Sequence, residues 1–156
     1  MSAEAATGEP WEDITPDAAR RLVVAAVEAF AERGYHATTT RDIAGRAGMS
    51  PAALYIHYKT KEELLYQISR IGHAKALEIL QTAARREGTA TERLADQVSS
   101  FVRWHAGGRT TARVVQYELD SLGPEARKEI LALRRQCDAE VRAVIEEGVA
   151  AGEFER

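Results

Sequence analysis

Tyr55, His57, Tyr58, Lys59 and Lys61 crowd two phenol rings, an imidazole and two ammonium groups into the stretch "YIHYKTK". Side chains of these types suit phosphates and the faces or edges of bases. None of them stands beside a partner that would make it a nucleophile, a general base or a metal ligand. The chain carries no glycine-rich phosphate loop, no His-Glu metal helix and no nucleophile motif. An enzyme is therefore not expected, and no cofactor or metal is implied. Cys137 is the single cysteine, which rules out an internal disulfide and leaves too few thiols for structural zinc.

The charge distribution points the same way. The formal net charge is −3 over 156 residues, so bulk charge does not coat nucleic acid or membrane with this chain. Between residues 33 and 61, however, Arg33, Arg41, Arg46, Lys59 and Lys61 face only Asp42, a local excess of +4. No apolar run approaches the roughly 18 residues of a membrane span, and "MSAEAATGEP" lacks the basic and apolar regions of a signal peptide. A soluble, cytoplasmic protein without a membrane partner is expected.

Several elements must position these residues. Residues 1–14 are small, acidic and aperiodic, which predicts a disordered arm. Thr15 as N-cap with Pro16 at the first helical position opens a helix whose apolar face is Leu22, Val23, Ala26, Val27 and Phe30, closed by Gly34. Thr40 is the next expected cap, for a short helix with Ile43, Ala44 and Ala47 on its apolar side. After "GMS", Ser50 caps another with Pro51 at its start. Two short helices joined by such a turn make a helix-turn-helix. Thr60 with Glu63 predicts a capping box for a long helix to about Arg86. Three further helices are expected: from about Thr91 to "WHAGG", from Arg109 to Ser121, and from Pro124 to about Gly152. No strand pattern or repeat interrupts them, so the fold class is all-α.

A helix that enters the major groove is anchored on its back and presents small residues to the bases, with polar or aromatic ones along the phosphates. The helix from Pro51 fits, with Ala53 or Leu54 available for burial and Ser50, Pro51, Ala52, Tyr55 and His57 left to project. Helix N-termini at Thr40, Ser50 and Thr60 offer phosphate sites, and Lys59 and Lys61 add charge. "TTTRDIAGRAGMSPAALYIHYKTKEELL" resembles the DNA-binding segment of TetR-type transcriptional regulators, following the pattern "IA..AG.S...LY.HF..KE.LL" with Tyr58 where Phe is commoner. The resemblance implies that Thr40 and Arg41 approach the DNA backbone. It places Ser50, Ala52, Ala53, Tyr55, His57 and Lys61 toward DNA, with Tyr58 and Lys59 completing the expected contact set. It further implies a helix-turn-helix DNA-binding domain over residues 15–62, a helical effector-binding and dimerisation domain over 63–156, and a homodimer on double-stranded operator DNA.

In the second part, "FVRWHAGGRTTARVVQYELDSL" resembles an actinobacterial branch of TetR-type repressors of steroid and fatty-acid catabolism, whose effectors include acyl-coenzyme A thioesters. Trp104, His105, Arg109, Arg113, Gln116 and Tyr117 are the expected effector residues, because they bring aromatic surface near cationic donors and helical spacing places Arg109, Arg113 and Gln116 on one side. His73 and Cys137 are expected in packing roles, and His36 in a loop. The family carries two more helices beyond the seventh; the sequence ends at "VAAGEFER", about where they would begin. The competing expectation is a helix-turn-helix adaptor whose second domain binds a protein partner in place of a ligand.

Overall fold

A computed structural model describes residues 10–155, with the side chain of Tyr117 outside that description. The chain folds into seven α-helices and no strand among the described residues. They are α1 (Asp17–Arg33), α2 (Thr40–Arg46), α3 (Pro51–His57), α4 (Lys61–Ala84), α5 (Ala90–Gly107), α6 (Arg109–Tyr117) and α7 (Pro124–Ala150), with a 3-10 turn, Leu119–Ser121, before the last. None of the described helices is long and apolar enough to cross a membrane.

Most of the expected starts and stops are present, with shifts of one or a few residues. Pro16 is the N-cap of α1 and lies just before it, so Thr15 does not cap the helix. Gly34 ends it with φ +81°, a left-handed conformation that glycine adopts without a Cβ penalty. The cap of α2 is Thr39, not Thr40: its hydroxyl accepts from the Asp42 N–H while the Asp42 carboxylate accepts from the Thr39 N–H, a reciprocal box that Thr40 lacks. The Thr39 hydroxyl also donates to the Asp42 carboxylate at 2.7 Å, and this bond, together with the one from the Thr39 N–H, holds the Asp42 carboxyl below its ordinary value. Thr60 caps α4 by accepting from the Glu63 N–H, but the Glu63 carboxylate reaches the Lys59 N–H at 2.7 Å instead of closing the box on Thr60. The fifth helix starts from Thr89, which forms a full box with Glu92.

The disorder expected over residues 1–14 does not hold for residues 10–14. Residues 1–9 lie outside the described residues, but Trp11 is buried in the core and its carbonyl accepts from the Ile14 N–H at 3.0 Å. One indole supplies enough apolar area to hold an otherwise polar segment down. The core runs without interruption from Leu22, Phe30, Ile43 and Leu54 through Leu64, Leu65 and Ile68 to Val114, Leu122 and Ile130. Helices α4, α5 and α7 pack together, and α6 lies against both α4 and α1. The far end of α7 is tied back by the Glu153 carboxylate, which accepts from the Ala90 and Thr91 N–H groups at the start of α5.

Candidate functional site

Helix α3 is held from behind by Leu54, fully buried, and by Tyr58 just past its end. The Tyr58 hydroxyl donates to the Ala19 carbonyl of α1 at 3.3 Å, and burial pushes its pKa up, with the Glu63 carboxylate adding to the shift. Tyr58 is therefore a core residue, and its expected place in the DNA contact set is corrected. It lies four residues after Leu54, on the same helical face, which is why it turns inward. Ala52, Tyr55, Ile56 and Lys59, spaced three and four apart, are all exposed. Ile56 is 74% exposed, a position that the sequence reasoning passed over although its spacing from Ala52 marks it.

The Tyr55 hydroxyl hydrogen-bonds the Thr40 hydroxyl at 2.9 Å, which joins the exposed face of α3 to the first turn of α2. Ser50 caps α3 by accepting from the Ala53 N–H at 3.2 Å. His57 is half-buried and lines a cleft with Glu12, Asp13 and Glu63, on the side of the N-terminal segment, so it does not share the exposed stripe.

The local positive charge is smaller than its count along the sequence. Arg46 is salt-bridged to Glu28 and Glu32 of α1, and Arg33 to Asp42 at 3.5 Å. Lys61 is drawn inward: its ammonium donates to the Tyr35 carbonyl at 2.8 Å and lies 4.1 Å from the centre of the Tyr35 ring. The phosphate contact expected of Lys61 therefore competes with an intramolecular one. Lys59 donates to the Tyr55 carbonyl at 3.2 Å, a bond that leaves its charge unpaired on the surface. Arg41 is exposed and takes part in none of the salt bridges among the described residues.

Behind this surface, α4, α5, α6 and α7 line a half-open cavity of about 540 Å³, within the range typical of small-molecule sites. Trp104, His105, Arg113 and Gln116 line it, as expected. Arg109 does not: it stands at the corner between α5 and α6 and lines a second cleft with Trp11, Arg20 and Glu28. It is the first residue of α6, six residues before Val115, which packs on Gly72 of α4, so it lies outside the crossing that closes the cavity. For Tyr117 the side chain is not described.

The sequence reasoning missed the polar centre of this cavity. Arg134 Nε–H donates to His73 Nε2 at 2.9 Å, and His73 Nδ1–H donates to the Ser69 carbonyl at 2.7 Å, which fixes a neutral ring. Burial lowers the His73 pKa; the bond to Ser69 opposes the shift, and the charges of Arg134 and His105 add to it. Arg134 also reaches Gln116 Oε1 at 3.3 Å and the Val115 carbonyl at 3.5 Å, so one guanidinium joins α7, α4 and α6. All its partners are neutral. Cys137 and Asp138 lie on the wall beside it, and burial pushes the Cys137 thiol up, so the sulfur stays protonated. The one available signal was position: His73 follows Ser69 by four residues along the apolar face of α4, and Arg134 precedes Asp138 by four.

A capped, exposed recognition helix in front of a helical cavity is matched in known proteins. Residues 17–68 fit the family described as bacterial regulatory proteins, tetR family, and residues 87–156 fit a tetracyclin repressor-like C-terminal domain. The chain belongs to the TetR family. Its helices superpose on the crystal structure of a TetR-family regulatory protein from Rhodococcus RHA1 with a TM-score of 0.87 at 48% identity, covering 90% of this chain and 74% of that one. The fatty acid metabolism regulator protein of Bacillus subtilis is 29% identical over 86% of this chain and 69% of its own length. The structure of the regulator FadR from Bacillus subtilis, solved in complex with stearoyl-CoA, matches at 29% identity and a TM-score of 0.73, covering 87% of this chain and 73% of that chain. TetR-family members are DNA-binding transcriptional regulators and not enzymes, which agrees with the catalytic motifs that the sequence lacks.

Proposed function

We propose that this TetR-family chain is a cytoplasmic transcriptional repressor. It binds a palindromic operator as a homodimer and is released when an acyl-coenzyme A thioester, or a closely related acyl compound, enters the cavity between α4, α5, α6 and α7. Residues 15–62 form the DNA-binding unit, in which Arg41 and Lys59 contact phosphate, Thr40 and Tyr55 set the approach of α2 and α3, and Ser50, Ala52, Ala53 and Ile56 meet the groove. Residues from 63 onward hold the effector and the dimer contacts.

Arg134 carries the effector assignment. A half-buried guanidinium whose partners are all neutral, in a cavity walled by Phe101, Trp104, Ala76 and Val115, gains from a ligand with an apolar chain and an oxygen that accepts from it. An acyl thioester offers both, and the stearoyl-CoA complex of the Bacillus subtilis relative supports that class. Selection from random duplex DNA tests the first half: the recovered site is expected to be two-fold symmetric, with half-sites about 34 to 36 Å apart or a multiple of that. A site without symmetry would remove the dimer. A thermal-shift series of acyl-coenzyme A thioesters tests the second, since a ligand of the folded state raises the melting temperature by mass action. If none raises it, the effector class is wrong.

A further inference from the structure

Gln97 is the one fully buried amide in the bundle, with none of its surface exposed. Its Nε2 donates to the Leu80 carbonyl of α4 at 3.2 Å and to the Glu140 carbonyl of α7 at 3.3 Å. Two acceptors on the same nitrogen fix which end of the amide is which. Its Oε1 is left buried with no hydrogen-bond partner among the described residues. An orphaned acceptor of this kind is a net cost to folding, and an apolar side chain of the same size would avoid it.

Where Gln97 sits gives that cost a meaning. It lies one helical turn before Phe101, which lines the cavity; Leu80 lies one turn after Ala76, and Glu140 three residues after Cys137, both lining residues as well. All three helices therefore run from the cavity wall straight into the layer that Gln97 occupies. We infer that Gln97 is the stop beneath the cavity: its side chain, held by its amide between α4 and α7, fills that layer and so sets how long an apolar chain the cavity accepts. This rests on the cavity being the effector site. Because interiors are close-packed, a shorter side chain at 97 opens space continuous with the cavity above.

The test compares Gln97→Ala, the milder Gln97→Asn, and Gln97→Leu, which keeps the volume without the amide. Dissociation constants are measured for a series of saturated acyl-coenzyme A thioesters. The shortened variants should move their best chain length upward, with each methylene newly buried worth about fourfold in affinity, while Gln97→Leu keeps the wild-type optimum. An unchanged optimum in both Gln97→Ala and Gln97→Asn overturns the inference. If the wild type binds none of the series, the effector class fails, and depth is read separately from xenon-pressurised crystals: xenon below Phe101 in the shortened variants but not in the wild type supports the stop, and its absence from them overturns it.

Discussion

Lys61 spends its charge at home. A charged hydrogen bond to the Tyr35 carbonyl, together with a contact on the Tyr35 ring, ties the start of α4 to the loop before α2; a pair of interactions like these contributes about 1–2 kcal/mol. Lys61→Ala should therefore lower the melting temperature and leave the salt dependence of operator binding unchanged. Arg41→Ala and Lys59→Ala should each flatten the slope of log K against log salt by about one unit at constant stability. Binding titrations at several salt concentrations, run beside thermal melts, separate the two; a Lys61 variant with full stability and a flattened slope would put this residue back on phosphate. The sequence held half of this distinction. Tyr58 follows Leu54 by four residues and was legible as buried, whereas Lys61 depends on Tyr35, whose position is set by a loop with no periodicity to read. His73 makes a second prediction at this scale. The unfolded chain protonates it near 6.5, the fold only at lower pH because burial penalises the charged ring, so below that value the unfolded state binds more protons and stability falls with pH. The midpoint of denaturant unfolding should drop more steeply with acid in the wild type than in His73→Gln; identical slopes would show that His73 does not titrate differently in the fold.

Among the elements, the crossing of α6 over α4 at Gly72 decides the shape of the cavity. A Cβ placed on Gly72 would stand 3.3 Å from Val115 Cγ2 and 4.0 Å from Thr111 Cγ2. Ala for Gly gains about 1 kcal/mol of helix propensity, and the close approach takes back a similar amount as Val115 gives way. The fold of Gly72→Ala should thus be nearly as stable as the wild type, with α6 seated differently over the cavity. Operator affinity measured with and without saturating acyl-coenzyme A should change less in this variant than in the wild type; an equal change would remove the α4–α6 crossing from the switch. Helix existence was well marked in the sequence by Pro16, Pro51, Pro124 and the Ser and Thr caps. What it did not mark was this crossing, because the glycine inside α4 is equally consistent with a bend. Nor did it mark the displacement of Arg109 from the cavity, because α6 begins at that residue and periodicity does not say where a short helix meets its neighbours.

At the level of the molecule, two connections join the cavity to the DNA-binding surface. Helix α4 runs from His73 and Gly72 in the cavity wall to Lys61 beside Tyr35. The second route leaves α6: Glu118, just beyond it, accepts from the Tyr35 N–H at 3.2 Å, while α6 packs along α1. Both end on the same loop, ahead of the Thr39 cap of α2. A ligand that draws Arg134 away from His73 and Gln116 loosens α4 and α6 together, so the loop receives both displacements at one point. Glu118→Ala removes the hydrogen bond of the α6 route and leaves α4 untouched. It should leave operator affinity in the absence of ligand within a few-fold of the wild type and weaken the coupling between the two sites, whose usual size is about 1–3 kcal/mol. Coupling is reciprocal, so the measurement has an internal check: the factor by which acyl-coenzyme A weakens operator binding must equal the factor by which operator DNA weakens acyl-coenzyme A binding, in the wild type and in the variant alike. Equal factors that both shrink in Glu118→Ala place part of the switch on α6. Factors that stay at the wild-type value remove the Glu118–Tyr35 bond from the switch, and unequal factors within one protein would mean that ligand and DNA do not act on the same two-state equilibrium.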